Sequence, residues 1–190
     1  MKKYLILFFI IMNFVSISHA EIEPLDDKWT IIYSNYITLY LEKNIDLKEF
    51  SKKIELKQSW ITSINPFFQK SQGINDIENK LDGICYQVQK ILGIYTSNLK
   101  VKIYVYLKLE DVESVYKEIF NKDFSNHRGE KEIVSFYRHK DETIYVFINQ
   151  LSIGILAHEL AHAVISNSFE PVPPAGVQEI LAMYVDKSLR

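Results

Sequence analysis

The chain contains a single cysteine, Cys85. One thiol forms no internal disulfide, so the fold must rest on a buried core rather than on covalent staples. Six glycines and five prolines among 190 residues exclude collagen-like and linker-rich chains. No basic tract is present, and 22 basic against 24 acidic residues leave a formal net charge of −2. That balance argues against nucleic acid as a partner. Internal repeats and Gly/Ser-rich linkers are missing as well, so the expectation is one domain over residues 21–190.

Long apolar runs are also scarce. The one exception, residues 4–15, follows the basic Lys2 and Lys3 and precedes Ser18-His19-Ala20, a small-x-small cleavage site. This is the layout of a secretory signal peptide over residues 1–20, and its apolar run is shorter than the ~20 residues of a spanning helix. No cysteine follows it to carry a lipid. The expectation is an exported protein, periplasmic or secreted, with no stable transmembrane segment after cleavage. His19 leaves with the signal, so His127, His139, His158 and His162 remain.

What is present reads as an α+β chain. Residues 29–41 are dense in Ile, Tyr and Thr and broken at Ser34-Asn35, which suggests two short strands. Asp46 is placed to cap a helix over 47–57. Across 74–92, Ile77, Leu81, Ile84, Cys85, Val88 and Ile91 recur at spacings of three and four, with Gly93 at the end. Cys85 on that stripe reads as a small buried apolar residue. Residues 101–107 alternate as a strand, 109–120 read as a helix, and a polar loop over 121–131 holds His127 and Gly129. Strands at 133–137 and 143–148 flank a turn at His139-Lys140-Asp141-Glu142, and helices at 153–166 and 175–189 flank Pro171, Pro173 and Pro174. Strands and helices mingle without a strict βαβ rhythm, which points to a mixed sheet.

The first of those two last helices carries the chemistry: Leu156-Ala157-His158-Glu159-Leu160-Ala161-His162. Residues four apart on a helix differ by about 40° in azimuth and ~6 Å along the axis, so both imidazoles can lean over one metal ion. Glu159 between them can reach a water on that ion, which is the mechanical content of the HExxH motif. Ile155, Leu156, Leu160, Val164 and Ile165, with alanines at 157, 161 and 163, make nearly every face apolar. A helix apolar all round is buried, and two imidazoles and a carboxylate there need partners. A metal supplies one partner for all three.

A catalytic zinc takes three protein ligands and keeps one position for water. The continuation to a third histidine is absent, since Ser168 stands where it would be. His127, His139, Glu170, Glu179 and Asp186 are the remaining candidates, and Glu179 is the best of them. It is a lone carboxylate among Val177, Ile180, Leu181, Ala182, Met183 and Tyr184, and the Pro-containing turn is long enough to fold its helix back.

HExxH, a Pro-containing connection and a glutamate on the next helix resemble the gluzincin zinc metallopeptidases, most closely the small exported peptidase MA-like proteins. The resemblance covers residues 143–185 and extends plausibly to residue 29. It implies a zincin-like mixed sheet with a buried HExxH helix and a following ligand helix. One zinc ion would be held by His158, His162 and Glu179, with Glu159 as catalytic base and a peptide or protein as substrate. It also implies that an extended peptide pairs with an edge strand, either 133–137 or 143–148. Ile180 departs from the glycine that many relatives carry after the ligand glutamate. Met183 replaces an acidic residue that supports a zinc histidine in some relatives, a role open to Asp186. No sizeable C-terminal subdomain is expected, so a protein partner could complete the cleft. Tyr184, Tyr137 and His139 are candidate oxyanion donors. The competing reading is a zinc-binding scaffold of the same fold with little hydrolysis.

Overall fold

The computed structural model describes residues 27–56, 74–96, 98–120 and 132–190. The expected signal segment and the loop carrying His127 and Gly129 lie outside these residues. Among the described residues the architecture is α+β, a five-stranded mixed sheet with five helices. Strands β1 (Trp29–Tyr33) and β2 (Ile37–Glu42) pair antiparallel across the break at Ser34-Asn35. Helix α1 (Leu47–Lys53) starts at Asp46, whose carboxylate accepts the backbone N–H groups of Lys48 and Glu49. It stops four residues earlier than the sequence suggests, because the chain leaves the helix to bury Ile54 and Leu56 in the core.

Helix α2 (Ile74–Leu92) ends at Gly93, whose φ of 67° lies in the left-handed region that favours glycine. The N–H of Ile94 bonds Gln89 O and that of Gly93 bonds Lys90 O, closing the end in a Schellman motif. Strand β3 (Val101–Tyr106), helix α3 (Leu109–Phe120), strands β4 (Ser135–Arg138) and β5 (Thr143–Phe147), and helices α4 (Ile153–Ser168) and α5 (Ala175–Leu189) complete the series. The sheet order is β1-β2-β3-β5-β4, with β2, β3 and β5 parallel and both outer strands antiparallel to their neighbours.

This order decides between the two candidate edge strands. Strand β5 lies between β3 and β4, so residues 143–147 have no free edge, and β4 forms the border of the sheet. Alternation along the strands then separates two faces. Leu39, Ile103, Val105, Ile144 and Val146 face Leu81, Ile84, Val88, Leu156, Leu160 and Val164 of α2 and α4 in the main core. The opposite face is aromatic: Tyr40, Tyr104, Tyr145 and Phe136 stand side by side in register, and α3 packs over the β4 end of the row. Cys85 is fully buried, as its place on the α2 stripe implies, and burial pushes its thiol pKa up to about 12. Such a thiol is inert.

Helix α5 folds back along α4, but it buries only some of the apolar neighbours of Glu179. Only Ala182, Val185 and Leu189 are buried, whereas Val177, Ile180, Met183 and Tyr184 face outward. Apolar composition alone does not say which stripe of a helix meets the core. At Gly154 the first turn of α4 lies against Asp186 and Arg190 of α5, in space a Cβ would fill.

Candidate metal centre

Helix α4 begins at Ser152, whose hydroxyl accepts the N–H of Ile155 and supplies the N-terminal cap. Leu156, Ala157, Leu160, Ala161, Ala163, Val164 and Ile165 are buried, so the helix has little rotational freedom and its polar residues are set by the packing. His158 and His162 stand one turn apart, with ring centroids 5.0 Å apart and their Nε2 atoms 3.3 Å apart. Helix α5 returns across them and brings Glu179 to the same point. Glu179 Oε2 is 3.5 Å from His158 Nε2, and Oε1 is 3.4 Å from His162 Nε2.

Around a tetrahedral ion bound at about 2.0–2.1 Å, neighbouring ligand atoms stand about 3.3–3.4 Å apart. The two Nε2 atoms have that spacing, and each has a different carboxylate oxygen of Glu179 beside it, at 3.5 and 3.4 Å. His158, His162 and Glu179 form a group that could hold a metal ion. Neither family models, curated proteins nor solved structures give a match to this chain. What the group can do is read from its own surroundings.

Glu159 lies on the same helix but takes no part in the triad. It is buried, and its Oε1 accepts the hydroxyl of Ser135 at 2.7 Å. That donor comes from β4. Burial raises the Glu159 pKa to about 7, against the lowering effect of the Ser135 bond. The charge of Glu179 adds to the rise, and the nearby backbone of Tyr137 opposes it. A carboxyl poised near neutrality suits proton transfer in either direction. His162 is shifted the other way: burial lowers its pKa, which favours the neutral imidazole that ligates metals. Its Nδ1 lies 3.4 Å from Gln178 Oε1, and Gln178 in turn donates to Pro173 O at 2.7 Å. Gln178 therefore fixes the ring from behind while its neighbour Glu179 meets the front.

A groove of about 670 Å³ opens over these residues. Its lining joins His158, Glu159, His162 and Glu179 to Ser135, Tyr137 and His139 of the β4 region and to Phe120 at the end of α3. Of the candidate oxyanion donors, His139 and Tyr137 line the groove. The Tyr137 hydroxyl is enclosed with no hydrogen-bond partner, and its burial pushes its pKa up. Tyr184 lies on the outward face of α5 and is not part of the lining. Asp186 does not reach a histidine by hydrogen bond; its carboxylate pairs with Arg190 Nε at 2.6 Å. The two share a smaller cavity of about 230 Å³ with His158 and Glu159. Glu170 is exposed in the turn before α5, and His127 lies outside the described residues.

Ser135 and Gln178 were not anticipated from sequence. Gln178 could have been suspected from its place beside Glu179. Ser135 gives no local signal, because its partner is 24 residues away and only the sheet order brings them together.

Proposed function

We propose that this chain is a zinc-dependent peptide hydrolase of the cell envelope, acting on extended segments laid along β4. The observation that carries the reading is the convergence of two imidazoles and one carboxylate, with ligand atoms within 4.8 Å of one another, and a separate buried carboxyl beside them. Two His and one Glu form the usual donor set of a hydrolytic zinc site. A zinc ion held there supplies Lewis acidity, which lowers the pKa of a water toward neutrality and polarises a carbonyl.

The chain's own residues do the rest. Glu159 takes the proton from the attacking water and passes it to the leaving amine. Ser135 holds its carboxylate through the hydroxyl hydrogen bond. His139, an exposed ring on the groove wall, and Tyr137 beside it are the donors that line the groove and are available to an oxyanion. The substrate pairs with the sheet border. Phe147 N–H bonds Val134 O, so in the antiparallel ladder the next bonded pairs are Phe136 with Tyr145 and Arg138 with Thr143. The backbone groups of Ser135 and the Tyr137 carbonyl therefore point to the free side, where an extended peptide can add.

Residues 1–20 are proposed to direct export, with residues 21–190 as the mature domain. Among the described residues no helix is long and apolar enough to cross a membrane. The decisive test pairs metal analysis with turnover. Glu159→Gln should keep one zinc per chain and lose peptide hydrolysis by a factor of about 10²–10⁴. Unchanged turnover in that variant would remove the mechanism.

A second reading is a zinc-stabilised scaffold that meets a protein partner. It is favoured by the uncovered row of Val177, Ile180, Met183 and Tyr184 beside Glu179. Peptide hydrolysis by the isolated chain separates the two.

A further inference from the structure

The groove has a second wall that the proton chemistry does not use. Beyond the edge of the sheet, Phe120 and Tyr116 of α3 and Phe136 of β4 line the same space as His158 and Glu159. The three rings form one cluster. Tyr116 lies 4.5 Å from Phe120 and 5.0 Å from Phe136, and Phe120 lies 5.9 Å from Phe136, centroid to centroid. Phe136 is buried, whereas Phe120 is 41% exposed. An exposed Phe is by itself unremarkable on a protein surface. This one differs in being the accessible ring of a packed aromatic cluster that shares a groove with the metal triad.

Strand geometry says what such a wall would meet. Along β4, Ser135 and Tyr137 turn toward α4, and Phe136 turns to the opposite face, under α3. A peptide added to the free side of β4 obeys the same alternation. Every second side chain would face the metal triad, and the ones between would face Phe120 and Tyr116. With the hydrolase reading as its basis, we infer that Phe120, Tyr116 and Phe136 form a side-chain subsite that selects extended peptides carrying a bulky apolar residue on the α3 side of β4. The subsite presents a cluster of three aromatic rings, so a Phe or Leu side chain loses water there and gains contact, while Asp or Lys loses hydration against the rings.

The test uses short fluorescein-labelled peptides of alanine and serine in which one position at a time becomes Phe, Leu, Ala or Asp. Binding is read by fluorescence anisotropy on the zinc-loaded full chain carrying Glu159→Gln, and hydrolysis is read on the unsubstituted chain. At one position, Phe or Leu should bind about tenfold more tightly than Ala. Phe120→Ala should erase that difference, Phe120→Leu should restore most of it, and Ile180→Ala on the outer face of α5 should leave it intact. Equal affinities at every position, no binding of any peptide, or a preference that follows Ile180 instead of Phe120 would overturn the inference. The two readings fail separately. Selective binding without hydrolysis keeps the subsite and sinks the hydrolase, and hydrolysis without the preference does the reverse.

Discussion

Glu159 is buried, it accepts a hydrogen bond from Ser135 of β4, and its pKa is lifted to about 7. The fold therefore favours its protonated form. In the metal-free chain, stability from this group is fully present below the ordinary carboxyl pKa of 4.5 and is lost as pH rises through about 7. Glu159→Gln removes the penalty. The variant should match the parent near pH 4 and exceed it by roughly 3 kcal/mol above pH 7, measured by denaturant unfolding after chelation. A difference that does not change with pH would contradict the assigned burial. Ser135 is read as a positioning residue. Ser135→Ala should cut kcat about tenfold, with KM and zinc content unchanged, because one charge-assisted hydrogen bond is lost while the ligands stay in place. An equal fall in zinc content would instead mean that β4 supports the triad itself.

Helix α4 is where sequence and structure agree best. Its apolar residues and small alanines made burial legible, and the spacing of His158 and His162 needed only helical geometry to be read. Its cap predicts a modest effect: Ser152→Ala should lower stability by about 1 kcal/mol and leave zinc affinity nearly unchanged, by thermal melting and zinc titration. Leu160→Ala, which opens a cavity at a fully buried position of the same helix, should cost about 2–5 kcal/mol. Helix α5 was half legible. Glu179 was identified as the one carboxylate amid apolar neighbours, yet those neighbours face solvent and the glutamate side chain is 56% exposed. The sequence showed an apolar helix without showing which stripe packs. For β4 and β5, alternation found both strands, but not which one borders the sheet. That depends on pairings between residues far apart in the chain, and these leave no mark on local periodicity. The bonds from Ser135 to Glu159 and from Gln178 to His162 were hidden for the same reason.

At the scale of the molecule, the triad joins two helices that otherwise meet through a partly apolar seam, one of them with a solvent-facing apolar row. A metal bound at that junction links site to stability: at about a thousand times its dissociation constant an ion that binds only the folded chain adds about 4 kcal/mol. For a chain of this size that is roughly a 10 °C rise in melting temperature. The same donor set also serves non-haem iron, so the identity of the ion must be measured along with its presence. The most direct test is therefore metal analysis of the purified protein with melting curves in chelator and in added zinc, run beside Glu179→Ala. One zinc per chain, a melting rise of that size on zinc addition, and the loss of both in the variant are the expected results. A folded chain that carries no zinc and melts at the same temperature with and without it would contradict the account.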